Sequence, residues 1–257
     1  MQWLTLFQKE VLDNWENKKW IWVPLVFILL MMMDPLSYYY LPEIIEIAGG
    51  VPEGTVFEIP ELQAEEVIMM SLEQVSMFGV LVIALISMGT ITNEKKSGLT
   101  EMILVKPISA NHYITSKWMA YLLLTVFSFA IAIIFSAYYI FILYNTLPIM
   151  TVLLIYLFYS TWLIFVLSLS IFYNSFARNA GIVLACTVGT IILMSIFNMI
   201  FQHQLPMFPN QLSTHIHTFV MTDNVSTELI ATSIITLASS ILLVMVSILI
   251  FNKSEKI

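Results

Sequence analysis

The chain has 257 residues, of which 59% are hydrophobic and only 11% charged, with a net charge of −7 and a mean hydropathy of +0.89. Ordinary globular domains are about 45–50% apolar and about 25% charged, so a soluble, collagen-like or disordered chain is excluded. Apolar stretches of about 20 residues, the length that crosses a bilayer as a helix, recur along the sequence and point to an all-α, polytopic membrane protein with one domain over 1–257.

Residues 2–19 read as a helix lying along the inner membrane surface. Trp3, Phe7, Val11 and Trp15 recur every four residues with Leu4 and Leu12 beside them, while Gln8, Lys9, Asp13, Glu16 and Asn17 take the other face. Six spans are expected over about 20–40, 68–91, 118–144, 149–172, 181–201 and 229–251. The first is retained rather than cleaved, since no small-residue cleavage site follows its apolar run. Pro35, Pro42, Pro52 and Pro60, with Gly49, Gly50 and Gly54, argue against a continuous helix before about residue 61.

Orientation follows from the basic residues, which are retained in the cytoplasm. Lys9, Lys18, Lys19, Lys95, Lys96, Lys106, Lys117, Arg178, Lys253 and Lys256 are all ten Lys and Arg of the chain, and six spans put every one on the side of the termini. Six acidic residues join them, a balance of +4, and the other eleven leave −11 elsewhere. Both termini are therefore expected in the cytoplasm.

None of the eight glycines precedes a Lys, so there is no Walker A loop; HExxH and Gly-x-Ser-x-Gly are also absent. No catalytic residue and no metal or cofactor site is assigned. His215 and His217 are two apart, on one face of a strand but not of a helix. Asp34, Glu73 and Asn198 are polar groups in or near the spans and are the candidates for a substrate pathway. Pro35 follows Asp34 directly, and a local bend there would place the carboxylate at the headgroups.

The largest inner loop, residues 93–117, reads NEKKSGLTEMILVKPISANHYITSK. Its 99–104 stretch is mostly apolar yet cytoplasmic, so it needs a surface to pack against: either the bilayer or a partner. Glu94-Lys95, Gly98, Glu101, Ile103, Leu104, Pro107 and Lys117 match in spacing a loop found in one family, and the chain resembles the permease subunits of type-2 ATP-binding-cassette exporters. Leu99-Thr100 stands where that family has Thr-Leu, a departure that touches the hydroxyl's role.

The resemblance implies six spans, an N-terminal interface helix with Lys9-Glu10, and a cytoplasmic coupling helix. It implies that Glu94 and Glu101 pair with basic groups, that Gly98 permits the turn into the coupling helix, and that Leu99, Met102 and Ile103 are its apolar knobs. Lys95, Thr100 and Pro107 complete that region, and the loop with Asn174, Arg178 and Asn179 is a second, smaller contact. The implied partners are two copies of a separate ATPase, which would bind the ATP and Mg, and a second permease half, identical or related. Membrane lipids are the other partner; nucleic acid is not one. The expected setting is a bacterial plasma membrane, and the expected cargo an amphipathic peptide or lipophilic drug-like compound. The alternative from another class is a non-transporting immunity, sensor or assembly subunit that binds a partner through the same loop.

Overall fold

The computed structural model describes residues 2–47, 62–98, 109–144 and 146–254, and every regular element among them is helical. The helices are α1 (Gln2–Glu16), α2 (Lys19–Tyr39), α3 (Leu41–Ile47), α4 (Ala64–Gln74), α5 (Val80–Ser87), α6 (Thr92–Lys96), α7 (Ala110–Leu143), α8 (Ile149–Phe176), α9 (Ala180–Phe201), α10 (Leu212–Thr222) and α11 (Thr227–Ser254). A π-helical turn at Val75–Gly79 joins α4 to α5. Six stretches are long and apolar enough to span: Lys19–Tyr39, Ala64–Lys96, Ala110–Leu143, Ile149–Phe176, Ala180–Phe201 and Thr227–Lys253.

The helices run past the expected spans because backbone hydrogen bonding continues where the apolar sequence stops. At about 1.5 Å per residue, the 34 residues of α7 reach about 51 Å against a hydrocarbon core of about 30 Å. Its first turns therefore stand outside the bilayer core, and Ser109 caps them by accepting from the His112 N–H at 3.3 Å. In the outer segment α3 forms with Pro42 in its first turn, where a missing N–H breaks no helical bond. His215 and His217 both lie on α10, so they do not share a face.

Close packing depends on small side chains. Along α7, Ala120, Leu124, Ser128, Ala132 and Ser136 are buried at four-residue spacing, which lets α2 and α8 approach. Ser128 returns its hydroxyl to the Leu124 carbonyl at 2.7 Å, so the polar atom does not face lipid unbonded. The central helix is α8, which packs against α5, α7, α9, α10 and α11. In the π-turn a Cβ on Gly79 would stand 2.8 Å from Val75 Cγ1 and 3.5 Å from Phe27 Cε1, so glycine there lets α2 close on the turn.

At the end of the bundle that carries α1, Lys18 adopts φ 56° and turns the chain between α1 and α2. The side of α1 that faces the protein carries the buried Glu10 and Asn14, one turn apart, while Leu4, Leu12 and Trp15 are exposed. Of the apolar face read from the sequence, Leu4, Leu12 and Trp15 point away from the bundle, as suits a helix resting on lipid, while Trp3, Phe7 and Val11 are half-buried. Trp3 and Phe7, on the flank, stack at 5.3 Å, and the Trp3 indole N–H donates to Thr115 Oγ1 at 3.0 Å.

Candidate functional site

Three elements converge at one end of the bundle: α1, α6 and the first turns of α7. Lys117 sits on α7 one turn after Tyr113 and is 1% exposed. Its ammonium donates to Glu10 Oε1 at 2.7 Å and lies 3.0 Å from Glu94 Oε1, so one lysine joins α1 to α6. Lys9 comes to the same Glu94 oxygen at 2.8 Å and also meets Glu10 at 3.3 Å and Asp13 at 3.4 Å. The Tyr113 hydroxyl donates to the second oxygen of Glu94, and the Lys117 ammonium lies 5.0 Å from the centre of the Tyr113 ring.

Two ammonium groups and three carboxylates make a network in which each buried charge has a partner. Taking Lys117 and Glu10 out of water carries a desolvation cost, and only such close pairing offsets it. Burial alone would lower the Lys9 pKa; the hydrogen bond to Glu94 and the charges of Glu10, Glu94 and Asp13 outweigh burial and hold it above the ordinary lysine value.

The helix that carries Glu94 is held from behind as well. Between α5 and α6 the chain makes a turn at residues 88–91, and buried Asn174 of α8 seats it. Asn174 Oδ1 accepts from the Ile91 and Thr92 N–H groups, while Nδ2 donates to the Ser87 carbonyl at 2.9 Å and the Ser170 carbonyl at 3.1 Å. Asn174 is therefore an internal clamp and not part of an exposed contact loop; Arg178, four residues on, is exposed. Lys95 donates to the Ser175 carbonyl at 3.0 Å with its ammonium 4.7 Å from the centre of the Phe251 ring, which in turn stacks on Tyr113. Gly98 then ends this stretch with φ +73°, a backbone conformation that residues with a Cβ adopt at a cost.

Of the residues singled out from the sequence, Lys9, Glu10, Glu94 and Lys95 come together here and Gly98 closes α6. Leu99, Thr100, Glu101, Met102, Ile103 and Pro107 lie outside the described residues. Sequence reasoning missed Asp13 and Tyr113 as members, took Asn174 for part of the second contact, and had Lys117 only as the end of the loop pattern. The available signal was the four-residue spacing of Tyr113 and Lys117 on a helix that begins before the apolar run.

Toward the opposite end of the bundle, Asp34 and Glu73 line one pocket of about 380 Å³ with Gln74, whose Nε2 donates to Asp34 Oδ1 at 3.1 Å. Glu73 also borders a larger cavity of about 800 Å³ between α4–α5, α9 and α10, with Ser76, Tyr159, Ile192 and His217 on its walls. The Tyr159 hydroxyl, 2.6 Å from Ser76 Oγ, donates to the Leu72 carbonyl at 3.1 Å, bracing the π-turn against α8. Asn198 is half-buried on α9 and lines neither space.

A family model described as "ABC-2 family transporter protein" matches residues 4–255, nearly the whole chain. The chain belongs to the ABC-2 transporter family. The chain is also similar to the uncharacterized transmembrane protein YxlG of Bacillus subtilis (strain 168), with 30% identity over 186 residues that cover 72% of each protein. As an ABC-2 permease it is the multi-pass membrane component of a transporter, a part that is not itself catalytic.

Proposed function

We propose that this permease is one half of a bacterial plasma-membrane exporter, with both termini in the cytoplasm and a separate ATPase seated against α6, residues 99–108 and α1. The observation that carries this reading is the network of Lys9, Glu10, Glu94 and Lys117. A loop that receives a push from a partner moves the spans only if it is fastened to them, and Glu94 sits four residues before Gly98 in a helix tied to α1, α7 and α8. The energy must come from ATP bound by that partner, which holds the closed state more tightly than the open one.

In this reading Lys9, Glu10, Glu94 and Lys95 brace the contact, Gly98 sets the angle of the following segment, and Leu99, Met102 and Ile103 enter the ATPase, with Thr100, Glu101 and Pro107 shaping that entry. Arg178, exposed between α8 and α9, is the second contact. Two ATPase copies and a second permease half, identical or related, complete the assembly. Among the six candidate spans α9 has the smallest share of its apolar window covered within the chain, 17%, and this supports α9 as the side that meets the other half. The apolar cavity bordered by Glu73, with Asp34 close by, supports an amphipathic peptide or lipophilic compound as cargo.

The deciding experiment is reconstitution of the permease with the ATPase encoded beside it, reading ATP turnover with and without candidate amphiphiles. Glu101→Ala and Gly98→Pro should lower stimulated turnover at least several-fold while the permease still inserts and folds. Unchanged turnover and unchanged complex formation in both variants would remove the coupling role. A complex that forms but moves no compound would instead favour an immunity, sensor or assembly subunit.

A further inference from the structure

Between α1, α2, the α5–α6 turn and α7 lies a third cavity, of about 350 Å³, and in the six-span orientation proposed above it stands at the level of the inner leaflet's headgroups. Its position follows from its walls: Trp22, near the inner end of the first span, and Leu85 are both 38% exposed at its edge, so it opens toward lipid rather than into the bundle.

The groups on its walls have unused hydrogen-bonding capacity of both signs. Asn14 is 1% exposed, lines the cavity, and its amide nitrogen has no hydrogen-bond partner among the described residues. A buried amide without a partner is costly, and in a native structure it marks a place where something else bonds. Lys19 also lines the cavity; its ammonium donates to the Tyr121 hydroxyl at 2.7 Å and the Ile86 carbonyl at 3.4 Å, both neutral. No carboxylate among the described residues stands within 4 Å of it; the Tyr121 ring, its centre 4.7 Å away, is the nearest electron-rich group, and one N–H remains. The carboxylates of Glu10 and Glu94 are engaged by Lys117, Lys9 and Tyr113, whereas Asp13 is half-exposed and holds Lys9 only at 3.4 Å.

We infer that this cavity binds the headgroup of an inner-leaflet aminophospholipid, its phosphate on Lys19 and Asn14 and its ammonium toward Asp13. Donors on one wall and on another the half-exposed carboxylate of Asp13, which Lys9 meets only at 3.4 Å, match a phosphate joined to an amine by a short linker, and a purely anionic headgroup would leave Asp13 facing negative charge. The exposed Leu4, Leu12 and Trp15 of α1 lie on the same membrane surface, so a lipid held here would mortar α1 to α2 where the chain turns at Lys18. This assignment is independent of what the permease transports.

The test uses the full-length protein in detergent, titrated with phosphatidylethanolamine, phosphatidylcholine and phosphatidylglycerol of matched chains, with bound lipid counted by native mass spectrometry. One phosphatidylethanolamine per chain should bind at least ten-fold more tightly than the other two lipids. Asn14→Leu, which removes the unpaired amide and therefore should not harm folding, and Lys19→Met should each erase that preference. Equal binding of all three lipids, or an unchanged preference in both variants, would overturn the proposal. So would displacement of the lipid by millimolar inorganic phosphate, which would assign the cavity to a free anion.

Discussion

Lys117 illustrates how much a single side chain carries in this protein. It is buried, and both of its carboxylate partners come from elements distant in sequence. Removing one partner of a buried ion pair costs about 3–5 kcal/mol because the other charge is left without compensation. Lys117→Met should therefore lower the melting temperature of the purified protein sharply, and adding Glu10→Gln should recover part of the loss, since the double change leaves fewer orphaned charges. Additive losses in that pair of variants would mean that Lys117 and Glu10 do not interact.

Lys9 gives the matching pH prediction. Its folded pKa lies above the unfolded value, so its contribution is fully present below the ordinary lysine value of about 10.4 and is lost as pH rises through the folded one. The melting-temperature difference between the wild type and Lys9→Met should be flat from roughly pH 6 to 9 and shrink only in strong alkali. A difference that vanished by neutral pH would show that the lysine is not held by the acidic cluster. From sequence alone Lys9, Glu10 and Glu94 were legible as a set, because a loop pattern and a helix pattern named them. Asp13 and Tyr113 were not, since nothing local distinguishes them from a solvated face or an interfacial aromatic.

At the scale of elements, the turn between α5 and α6 rests on Asn174, a residue whose place in an inner loop suggested an exposed contact. Four hydrogen bonds to buried backbone make it a clamp instead. Asn174→Leu, of similar size, leaves the Ile91 and Thr92 N–H groups unpaired and should cost about 1–3 kcal/mol for each buried group so orphaned. The measurement is a thermal melt together with hydrogen exchange at residues 87–96. Protection unchanged there would discount the clamp.

Gly98 makes a separate prediction. Gly98→Ala meets no atom within 4 Å among the described residues, and its φ of +73° costs a residue with a Cβ about 1 kcal/mol. Stability should fall slightly, and coupling to the ATPase should fall more if that backbone angle aims the next segment. The existence of α1, α2 and α7 was readable because their apolar spacing and flanking charges announce them. Their ends were not, because a helix continues beyond the bilayer for as long as its hydrogen bonds are satisfied, and α7 begins well before the apolar run does.

For the molecule as a whole, the six-span architecture was legible in composition and in the placement of ten basic residues. The internal arrangement was not: nothing in the sequence says that α8 is central, because α8 and α9 are comparably apolar and only packing separates a buried helix from a lipid-facing one. Asp34 and Glu73 likewise share a pocket for a reason no spacing shows, the pairing of α2 with α4. With native Cys186 replaced, single cysteines at Arg178 and Gln204 should react with a membrane-impermeant thiol reagent on opposite sides of intact vesicles. Labelling of both from one side would overturn the six-span orientation.

The Lys117 network also constrains the order in which the protein is made. Translation delivers Glu10 first, Glu94 next and Lys117 last of the three, so until α7 arrives the ion network holds α1 only through the Lys9–Glu94 pair. During that interval the nascent helix has only its exposed leucines and tryptophan with which to rest on the bilayer. When α7 arrives, its lysine needs both glutamates at once. The network therefore closes late: only the third span brings the lysine that joins α1 to α6.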